Sequence, residues 1–560
     1  MSRAEKQPVS GLKKAAIALA ATVGMLAAVE GALAWMDRFP PEAESFRRVF
    51  TEAGNVELYL WEKPVDRHVT VSIEPEQGQR RVVVVGASTI EGFHLQRRST
   101  ISKHLKPMLD TLFRSRHEVL NLGASGVDAA RVRAVTEFAL EELSPDLVII
   151  YSGHNQFMAR FSTSYLSRAA SPVGALLGVV QSTRMGRGLI GGLRRRKTGA
   201  PPAAPDEGQT AFRVLPSSKM EPARDAILDD YEEEIERIVR ACDDANVPLL
   251  LCRPISNGIE YGPFVSAFSR ELSVADRERF TGLLQDTASA VRAGELDRAT
   301  ALLDEAQAID PEVAEFHHLR GAVAWRRGDD GSARDFDRHK WACDDSPRVA
   351  SDILIARLER VARATGTPLV DLAPTMERMP REGESRLFLD EVHPSVIGQF
   401  LMARDIAIAC AGVPGFGSPE ACARVDGPTF PPDFEQQCRK LGITDGFRRN
   451  ARQMGVLGDV NHACFALVPE PYLERARTVL AATPEKDRRT TWLALAEVVL
   501  GVLDGDKQRV LTRFEHARAL GPVPFQKLLG TLTIQPRLQA GLERLGLRIE
   551  GEALVEAPAE

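Results

Sequence analysis

Val82-Val83-Val84-Val85-Gly86-Ala87-Ser88-Thr89 is the stretch of sequence that decides the fold. Four consecutive β-branched residues that end at a glycine are typical of a strand buried on both faces of a parallel sheet. Helical patterns such as Ala129–Leu143 and Ala226–Ala245 separate this strand from later ones. The further predicted strands are Glu118–Leu122, Leu147–Tyr151, Pro248–Cys252 and Pro368–Asp371. Strands that alternate with helices predict an α/β fold with a doubly wound parallel sheet.

A repeat lies between the fourth and fifth predicted strands, which are too far apart for a single crossover. Three residues recur there, each after 34 positions: Gly294 as Gly328, Ala299 as Ala333, and Asp310 as Asp344. This spacing is the tetratricopeptide period, and Asp310-Pro311 closes the first unit as that repeat would. The alternative is an ordinary helical insertion with chance matches. The spacing favours a tetratricopeptide-like helical insertion.

The remaining chain divides by composition. Residues 160–220 contain a short basic run and a Pro/Ala-rich stretch, which are typical of a solvated loop. The segment after Pro414 is rich in glycine and proline, and helical patterns such as Thr491–Leu503 and Gln508–Leu520 follow it. The predicted units are an N-terminal signal anchor or signal peptide (1–36), a connecting region (37–79), the α/β domain (80–262 and 346–412), the tetratricopeptide-like insertion (263–345), a linker (413–431) and a C-terminal helical domain (432–560).

Composition narrows the class of protein. Of the 560 residues, 44% are hydrophobic and 26% are charged, which is ordinary for a soluble globular chain. The net charge of −6 gives no indication of a nucleic-acid partner, which usually requires a concentrated basic face. None of the seven cysteines form a CxxC pair, so neither a zinc ribbon nor a thioredoxin-like site is expected. Cys410 and Cys422 could pair in an exported domain, but separate thiols are favoured. We expect no metal and no cofactor.

The N-terminus predicts export. Arg3, Lys6, Lys13 and Lys14 precede an apolar run that extends, apart from Glu30, through Ala15–Met36. A cleaved signal peptide and an uncleaved membrane anchor both fit this pattern. The length of the run favours the anchor. Both interpretations place the bulk of the chain on the extracytoplasmic side, because basic flanking residues stay inside.

Three short blocks follow the first three predicted strands, at the sheet edge where α/β proteins bind ligands. Gly86-Ala87-Ser88-Thr89 places a hydroxyl on a strand-to-helix turn, where it is accessible as a nucleophile. Asn121-Leu122-Gly123-Ala124-Ser125-Gly126 can bring a backbone N–H close to a substrate. In Tyr151-Ser152-Gly153-His154-Asn155-Gln156-Phe157 the Asn155 amide could donate to an oxyanion. Taken singly, these blocks also fit a helix cap, a turn and a loop.

A fourth block, Phe388-Leu389-Asp390-Glu391-Val392-His393-Pro394-Ser395, lies near the end of the α/β domain. Asp390 and His393 are three residues apart, so one compact turn can direct both side chains at the same point. A carboxylate there would orient the imidazole and stabilise its charged form. The alternative is the capped start of a helix beside a surface histidine.

The order of the four blocks resembles the SGNH/GDSL hydrolases: Gly-x-Ser after the first strand, a glycine loop after the second, Gly-x-Asn after the third, and Asp-x-x-His-Pro near the end. The resemblance covers about residues 80–412, with the repeat as an insertion. The sequence is similar to a branch of this family that has tetratricopeptide insertions and a Tyr-Ser-Gly-His-Asn-Glu-Phe block. Arg253-Pro254-Ile255-Ser256-Asn257 after the fourth strand also fits that branch. The implied fold is the flavodoxin-like sheet of the family.

The resemblance implies roles for individual residues. Ser88 would be the nucleophile, His393 the general base and Asp390 its orienting acid. The oxyanion hole would comprise the Ser88 N–H, the Gly126 N–H and the Asn155 side chain. Gly126 is preferred to Gly123 because the family glycine falls five residues after the asparagine of its block.

The sequence departs from the family at two positions. Ala87 stands where an aspartate is expected, and Gln156 stands where an acid is usual. Neither position belongs to the triad or the oxyanion hole, so the departures bear on substrate preference rather than on the reaction. His154 is interpreted as a structural hydrogen-bonding residue.

The expected activity is that of an extracytoplasmic serine esterase, and family analogy suggests an acylated glycan or lipid as substrate. An O-acyltransferase that uses the same site is the nearest alternative. A scaffold that binds a protein partner through its helical repeats is a third. The expected partners are an ester substrate and the membrane at the N-terminal segment, with no nucleic acid.

Overall fold

The structure is a computed structural model of the chain. The residues that it describes are 47–50, 55–59, 69–95, 97–157, 221–344, 349–378, 386–484, 488, 491–519, 528–529, 532–533 and 535–557. The predicted N-terminal segment (1–36) and the predicted loop at 160–220 lie outside these residues. Within the described part of the chain, no helix combines the length and apolar character needed to cross a bilayer.

A five-stranded parallel sheet forms the centre of the α/β domain. Its strands lie in the order β5-β4-β6-β7-β8. In chain order they are β4 (Gln79–Gly86), β5 (Arg116–Gly123), β6 (Leu147–Tyr151), β7 (Leu249–Cys252) and β8 (Leu369–Val370). The first strand of this sheet, β4, thus lies between the second and the third, β5 and β6, which is the flavodoxin-like order. The predicted α/β class is therefore confirmed.

Helices cover both faces of this sheet, because the side chains of β4 alternate between two cores. Val83 and Val85 face one core, and Val82 and Val84 face the other. All four are essentially fully buried, and each contributes roughly 1.5–3 kcal/mol by the hydrophobic effect. The first core is covered by α3 (Ala129–Glu142), α4 (Glu221–Asp244) and α9 (Asp352–Thr365). The second is covered by α2 (Ile101–Phe113), the short α10 (Ala373–Met376) and α11 (Val396–Gly412).

Four of the helices between β7 and β8 lie in the segment where the sequence predicts the insertion. They are α5 (Val274–Ala293), α6 (Leu296–Ile309), α7 (Ala314–Arg327) and α8 (Asp330–Cys343). The repeated residues have matching positions in them. Gly294 and Gly328 end α5 and α7 with left-handed backbone. Ala299 and Ala333 are fully buried.

Helices also dominate the C-terminal part. They are α13 (Phe434–Lys440), α14 (Asp445–Phe465), α15 (Glu470–Ala481), α16 (Thr491–Asp504), α17 (Lys507–Ala519) and α18 (Pro536–Arg544). A hairpin of β9 (Leu547–Glu550) and β10 (Ala553–Glu556) follows them. Its two short strands were not expected from the sequence.

Two segments differ from their predicted character. The predicted connecting region (37–79) contains three antiparallel strands, β1 (Arg47–Phe50), β2 (Asn55–Tyr59) and β3 (Val69–Ser72). The predicted linker (413–431) contains a short helix, α12 (Pro419–Arg424), and is packed against the α/β domain. Phe416 is buried in the second core of that domain, with the Arg80 guanidinium 3.8 Å from the ring centroid. Glycine and proline therefore mark turns in a packed segment here. All seven cysteines are free thiols.

Candidate active site

The turn after β4 presents Ser88. Ser88 is the first residue of the short helix α1 (Ser88–Glu91) and is partly exposed. The turn is tight, since a Cβ on Gly86 would clash with the Tyr151 carbonyl oxygen, so only glycine fits there. The Thr89 hydroxyl donates to the Val392 carbonyl at 3.3 Å and joins this turn to the Asp390–His393 segment.

A compact loop before α11 carries Asp390 and His393. The Leu389 N–H donates to the His393 carbonyl at 2.8 Å and closes the loop. The Val392 and His393 N–H groups donate to Asp390 Oδ1 at 3.0 and 2.7 Å. These two bonds hold Oδ1 of the carboxylate, and its other oxygen, Oδ2, faces the His393 ring.

Ser88, His393 and Asp390 meet in space. His393 Nε2 lies 2.8 Å from Ser88 Oγ, and His393 Nδ1 lies 2.6 Å from Asp390 Oδ2. Both distances are those of hydrogen bonds between a nucleophile, a base and the group that orients the base. The structure thus brings together three residues that stand up to 305 positions apart in the sequence.

Charge in this cluster favours a proton on His393. Burial by itself would lower the pKa of the His393 imidazole, but the Asp390 carboxylate raises it above its usual value through its charge and hydrogen bond. Burial would raise the pKa of Asp390, yet the two imidazoles beside it hold that pKa well below its usual range. Asp390 therefore stays ionised and stabilises a positively charged His393.

The glycine loop and the Asn155 block lie next to each other. Asn155 is 8% exposed, and its Nδ2 donates to the Val127 carbonyl at 3.3 Å, one residue beyond Gly126. Gly126 is exposed and has a φ of 77°. The Gly123 N–H, in contrast, already donates to Asn121 Oδ1 at 3.0 Å. Of the two glycines, Gly126 is the one on the open side of the loop.

His154 holds the Asn155 block in place. Its Nδ1 accepts the Ala350 N–H at 3.1 Å, so its Nε2 carries the proton and donates to the Tyr151 hydroxyl at 3.0 Å. Burial lowers the pKa of His154 to about 3, so the ring is neutral. Gln156 Oε1 accepts the Ala129 N–H at 3.1 Å and ties the block to the start of α3.

His94 is a site residue that the sequence analysis missed. Its Nε2 lies 2.9 Å from Asp390 Oδ2, the oxygen that also contacts His393. The half-exposed Phe93 ring lies 5.0 Å from the His393 ring, measured between centroids. His94 follows Ser88 by six positions, but no motif at that spacing marks it as a partner of a carboxylate near residue 390.

The C-terminal part also contacts this site, through α14. A Cβ on Gly458 would lie 3.0 Å from the Asp390 Cβ. The buried Asp459 accepts the Tyr261 hydroxyl at 2.9 Å, and that hydroxyl lies 3.4 Å from the Leu389 carbonyl. The loop of Asp390 is therefore packed between the α/β domain and a helix of the C-terminal part.

Two groups of side chains place ligand-type atoms within 4.8 Å of one another, among the residues that the structure describes. One is His94, Asp390 and His393, whose members already share hydrogen bonds. The other is Glu312, His317 and Cys343 in the insertion. In each group one member is distant in sequence from the other two, so residue spacing could not reveal the whole group.

Comparisons with known proteins give similarities to solved structures only. No known protein family matches the sequence, and no curated protein matches it. A GDSL-like lipase from Bacteroides thetaiotaomicron is 13% identical, with a TM-score of 0.24, over 58% of this chain and 85% of the lipase. An acetyl xylan esterase from Geobacillus stearothermophilus is 13% identical, with a TM-score of 0.27, over 61% of this chain and 97% of the esterase. Such low values support no conclusion about function.

Proposed function

We propose that the chain is a serine esterase with Ser88 as nucleophile, His393 as general base and Asp390 as the residue that orients it. The observation that supports this most directly is the continuous set of hydrogen bonds from Ser88 Oγ through the His393 ring to Asp390 Oδ2. A serine hydroxyl is a weak nucleophile until a base accepts its proton. The proposed reaction uses that base twice.

In the first half, Ser88 Oγ attacks the ester carbonyl carbon while its proton passes to His393 Nε2. The tetrahedral oxyanion collapses, the C–O bond to the alcohol breaks, and His393 returns the proton to the leaving alcohol. In the second half, water attacks the acyl carbon and gives its proton to His393 Nε2. The bond from the acyl carbon to Ser88 Oγ then breaks, His393 returns the proton to Ser88 Oγ, and the carboxylic acid leaves. The Ser88 N–H, the Gly126 N–H and Asn155 Nδ2 are the proposed donors to the oxyanion.

Family resemblance and the N-terminal pattern together suggest the substrate and the compartment. We assign an ester of a glycan or a lipid as the substrate, on the extracytoplasmic side of a membrane. The apolar run of Ala15–Met36 behind four basic residues supports this location. Alkaline phosphatase fused after Asp37 would be active under this proposal, and an inactive fusion would contradict it.

Reactivity of Ser88 with a fluorophosphonate probe tests the proposed activity. We expect labelling of the wild-type protein and none of Ser88→Ala or His393→Ala. Ser395→Ala is the matched serine control, because the Ser395 hydroxyl donates to the Arg386 carbonyl at 2.6 Å and caps α11. Folded wild-type protein that remains unlabelled would refute the esterase proposal and leave the scaffold alternative.

Hydrolysis and transfer to a sugar hydroxyl would share these residues. The two reactions can be distinguished by adding a soluble oligosaccharide to the acyl-enzyme that p-nitrophenyl acetate forms. We expect acetate as the product. Formation of acetylated oligosaccharide instead of acetate would contradict the esterase proposal and support the acyltransferase alternative.

A further inference from the structure

A second imidazole contacts the carboxylate that orients His393. His94 Nε2 and His393 Nδ1 lie 2.9 and 2.6 Å from the same oxygen, Asp390 Oδ2. The two rings meet edge to face, with centroids 5.1 Å apart and planes at 87°. The His94 side chain is only 14% exposed. Its position is therefore set by the site and not by solvent.

The backbone at His94 is in an unfavourable conformation. Its φ of 63° lies in the left-handed region, which costs a non-glycine residue conformational energy. Such conformations persist where the surroundings hold them, and they cluster at functional sites. Here the next residue, Leu95, is fully buried in a small core with Leu389 and Val396, which flank the Asp390–His393 segment. Packing of Leu95 thus holds His94 against Asp390.

The hydrogen bond has a defined direction. Burial lowers the pKa of His94, so its ring is neutral near pH 7. Asp390 is ionised and can only accept, so the single ring proton of His94 lies on Nε2 and is donated to the carboxylate. The other titratable groups whose charge acts on the histidines of this site are Glu91, Glu391 and His154.

We propose that His94 is a positioning residue, which donates to Asp390 and holds its carboxylate in the orientation that receives His393 Nδ1. This inference rests on the proposed esterase function. Without His94, Asp390 Oδ2 keeps one donor instead of two, and its affinity for the His393 proton increases. The His393 imidazolium is then stabilised further, and the ring is less well oriented towards Ser88.

Two substitutions separate the hydrogen bond from the backbone conformation. His94→Gln keeps an amide donor with nearly the reach of imidazole Nε2. His94→Asn suits the left-handed backbone better, but its amide is too short to reach Asp390. A positioning role predicts that His94→Gln is the better enzyme. A purely structural role predicts that His94→Asn is the better enzyme.

The measurement is kcat/KM for p-nitrophenyl acetate against pH. The wild-type acid limb should lie above pH 6.5, because His393 must be neutral to act as base and its pKa is raised. We expect about a tenfold loss for His94→Asn, with the acid limb moved to higher pH, and recovery of most of that loss in His94→Gln. The reverse order of the two variants would overturn the proposal.

A titration of ¹⁵N-labelled histidine by NMR tests the same inference without turnover. The pKa of His393 should be higher in His94→Asn than in wild type and nearly restored in His94→Gln. Phe93→Leu is the control, since this ring contacts His393 without a hydrogen bond and its loss should not raise the His393 pKa. An unchanged His393 pKa in His94→Asn would contradict the inference. Failure of the fluorophosphonate probe to label Ser88 in the wild-type protein would contradict only the esterase proposal.

Discussion

At the scale of single residues, the carboxylate of Asp390 organises the site. It accepts two backbone N–H groups on Oδ1 and faces two imidazoles on Oδ2. A carboxylate with so many donors has one orientation and a low proton affinity. This explains how His393 can be held 2.8 Å from Ser88 Oγ.

Asn155→Ala tests the proposed oxyanion donor. The loss of one such donor removes about 2.7–4 kcal/mol of transition-state stabilisation, so kcat should fall by about 10²–10³. Gln156→Ala is the matched control, because the neighbouring buried amide holds the loop through Ala129 but is not a proposed donor. Steady-state kinetics and thermal unfolding of both variants provide the check. Equal losses of kcat in the two variants would count against Asn155 as a donor.

At the scale of elements, helix α14 supports the loop of Asp390. Gly455 and Gly458 lie one turn apart on α14, where a Cβ would approach the Leu389 carbonyl at 2.9 Å and the Asp390 Cβ at 3.0 Å. The helix can pass this close to the loop only because both positions lack side chains. Asp459 then joins the helix to Tyr261 and to the Arg475 guanidinium at 2.8 Å.

Gly458→Ala should displace Asp390 and slow the reaction. The added methyl group has to displace the Asp390 Cβ, so the labelling rate of Ser88 should fall about tenfold or more. Gly446→Ala on the same helix is the control, because its Cβ would meet nothing closer than Thr444 Oγ1 at 3.7 Å. Alanine favours the helical conformation over glycine by about 1 kcal/mol at either site. The labelling rate and the thermal unfolding temperature should therefore change in different directions only in Gly458→Ala. An unchanged labelling rate in Gly458→Ala would argue against support from α14.

At the scale of the whole molecule, a buried polar junction joins the insertion, the loop after β7 and the C-terminal helices. Lys340 of α8 is fully buried and donates to the Gly258 and Tyr261 carbonyls at 2.7 and 2.9 Å. Glu315 of α7 is also buried, and burial raises its pKa to about 8. The charges of Lys340 and Arg537 act in the opposite direction but do not offset burial.

Glu315 should make stability depend on pH. Its folded pKa of about 8 exceeds the usual 4.5, so its contribution to the free energy of unfolding is complete below about pH 4.5 and is lost as pH rises through 8. Glu315→Gln should remove this loss and raise the unfolding free energy at pH 9 by about 1–3 kcal/mol. Urea unfolding of the wild-type protein and of Glu315→Gln at pH 5 and pH 9 measures this change in unfolding free energy. A wild-type pH dependence retained in Glu315→Gln would place the titrating group elsewhere.

The sequence by itself determined the local features of this protein. The β-branched run Val82–Val85 and its glycine predicted the central strand, and all four later strands of the sheet lie within two residues of their predicted ends. The predicted helices Ala129–Leu143 and Thr491–Leu503 likewise end within one residue of the observed ones. Hydrophobic periodicity and turn-forming residues depend only on neighbouring positions, so they can be recognised from the sequence. The proximity of Ser88, Asp390 and His393 was inferred only from the order of the motifs.

Tertiary structure alone decided the surroundings of the site. His94 reaches Asp390 from 296 positions away, and Gly458 reaches it from a helix that the sequence assigns to a separate domain. The strands β1–β3 and the packed segment around Phe416 were missed for the same reason. Each depends on contacts between residues far apart in the chain, and such contacts leave no period or spacing in the sequence. Packing selects them once the sheet has brought the chain segments together.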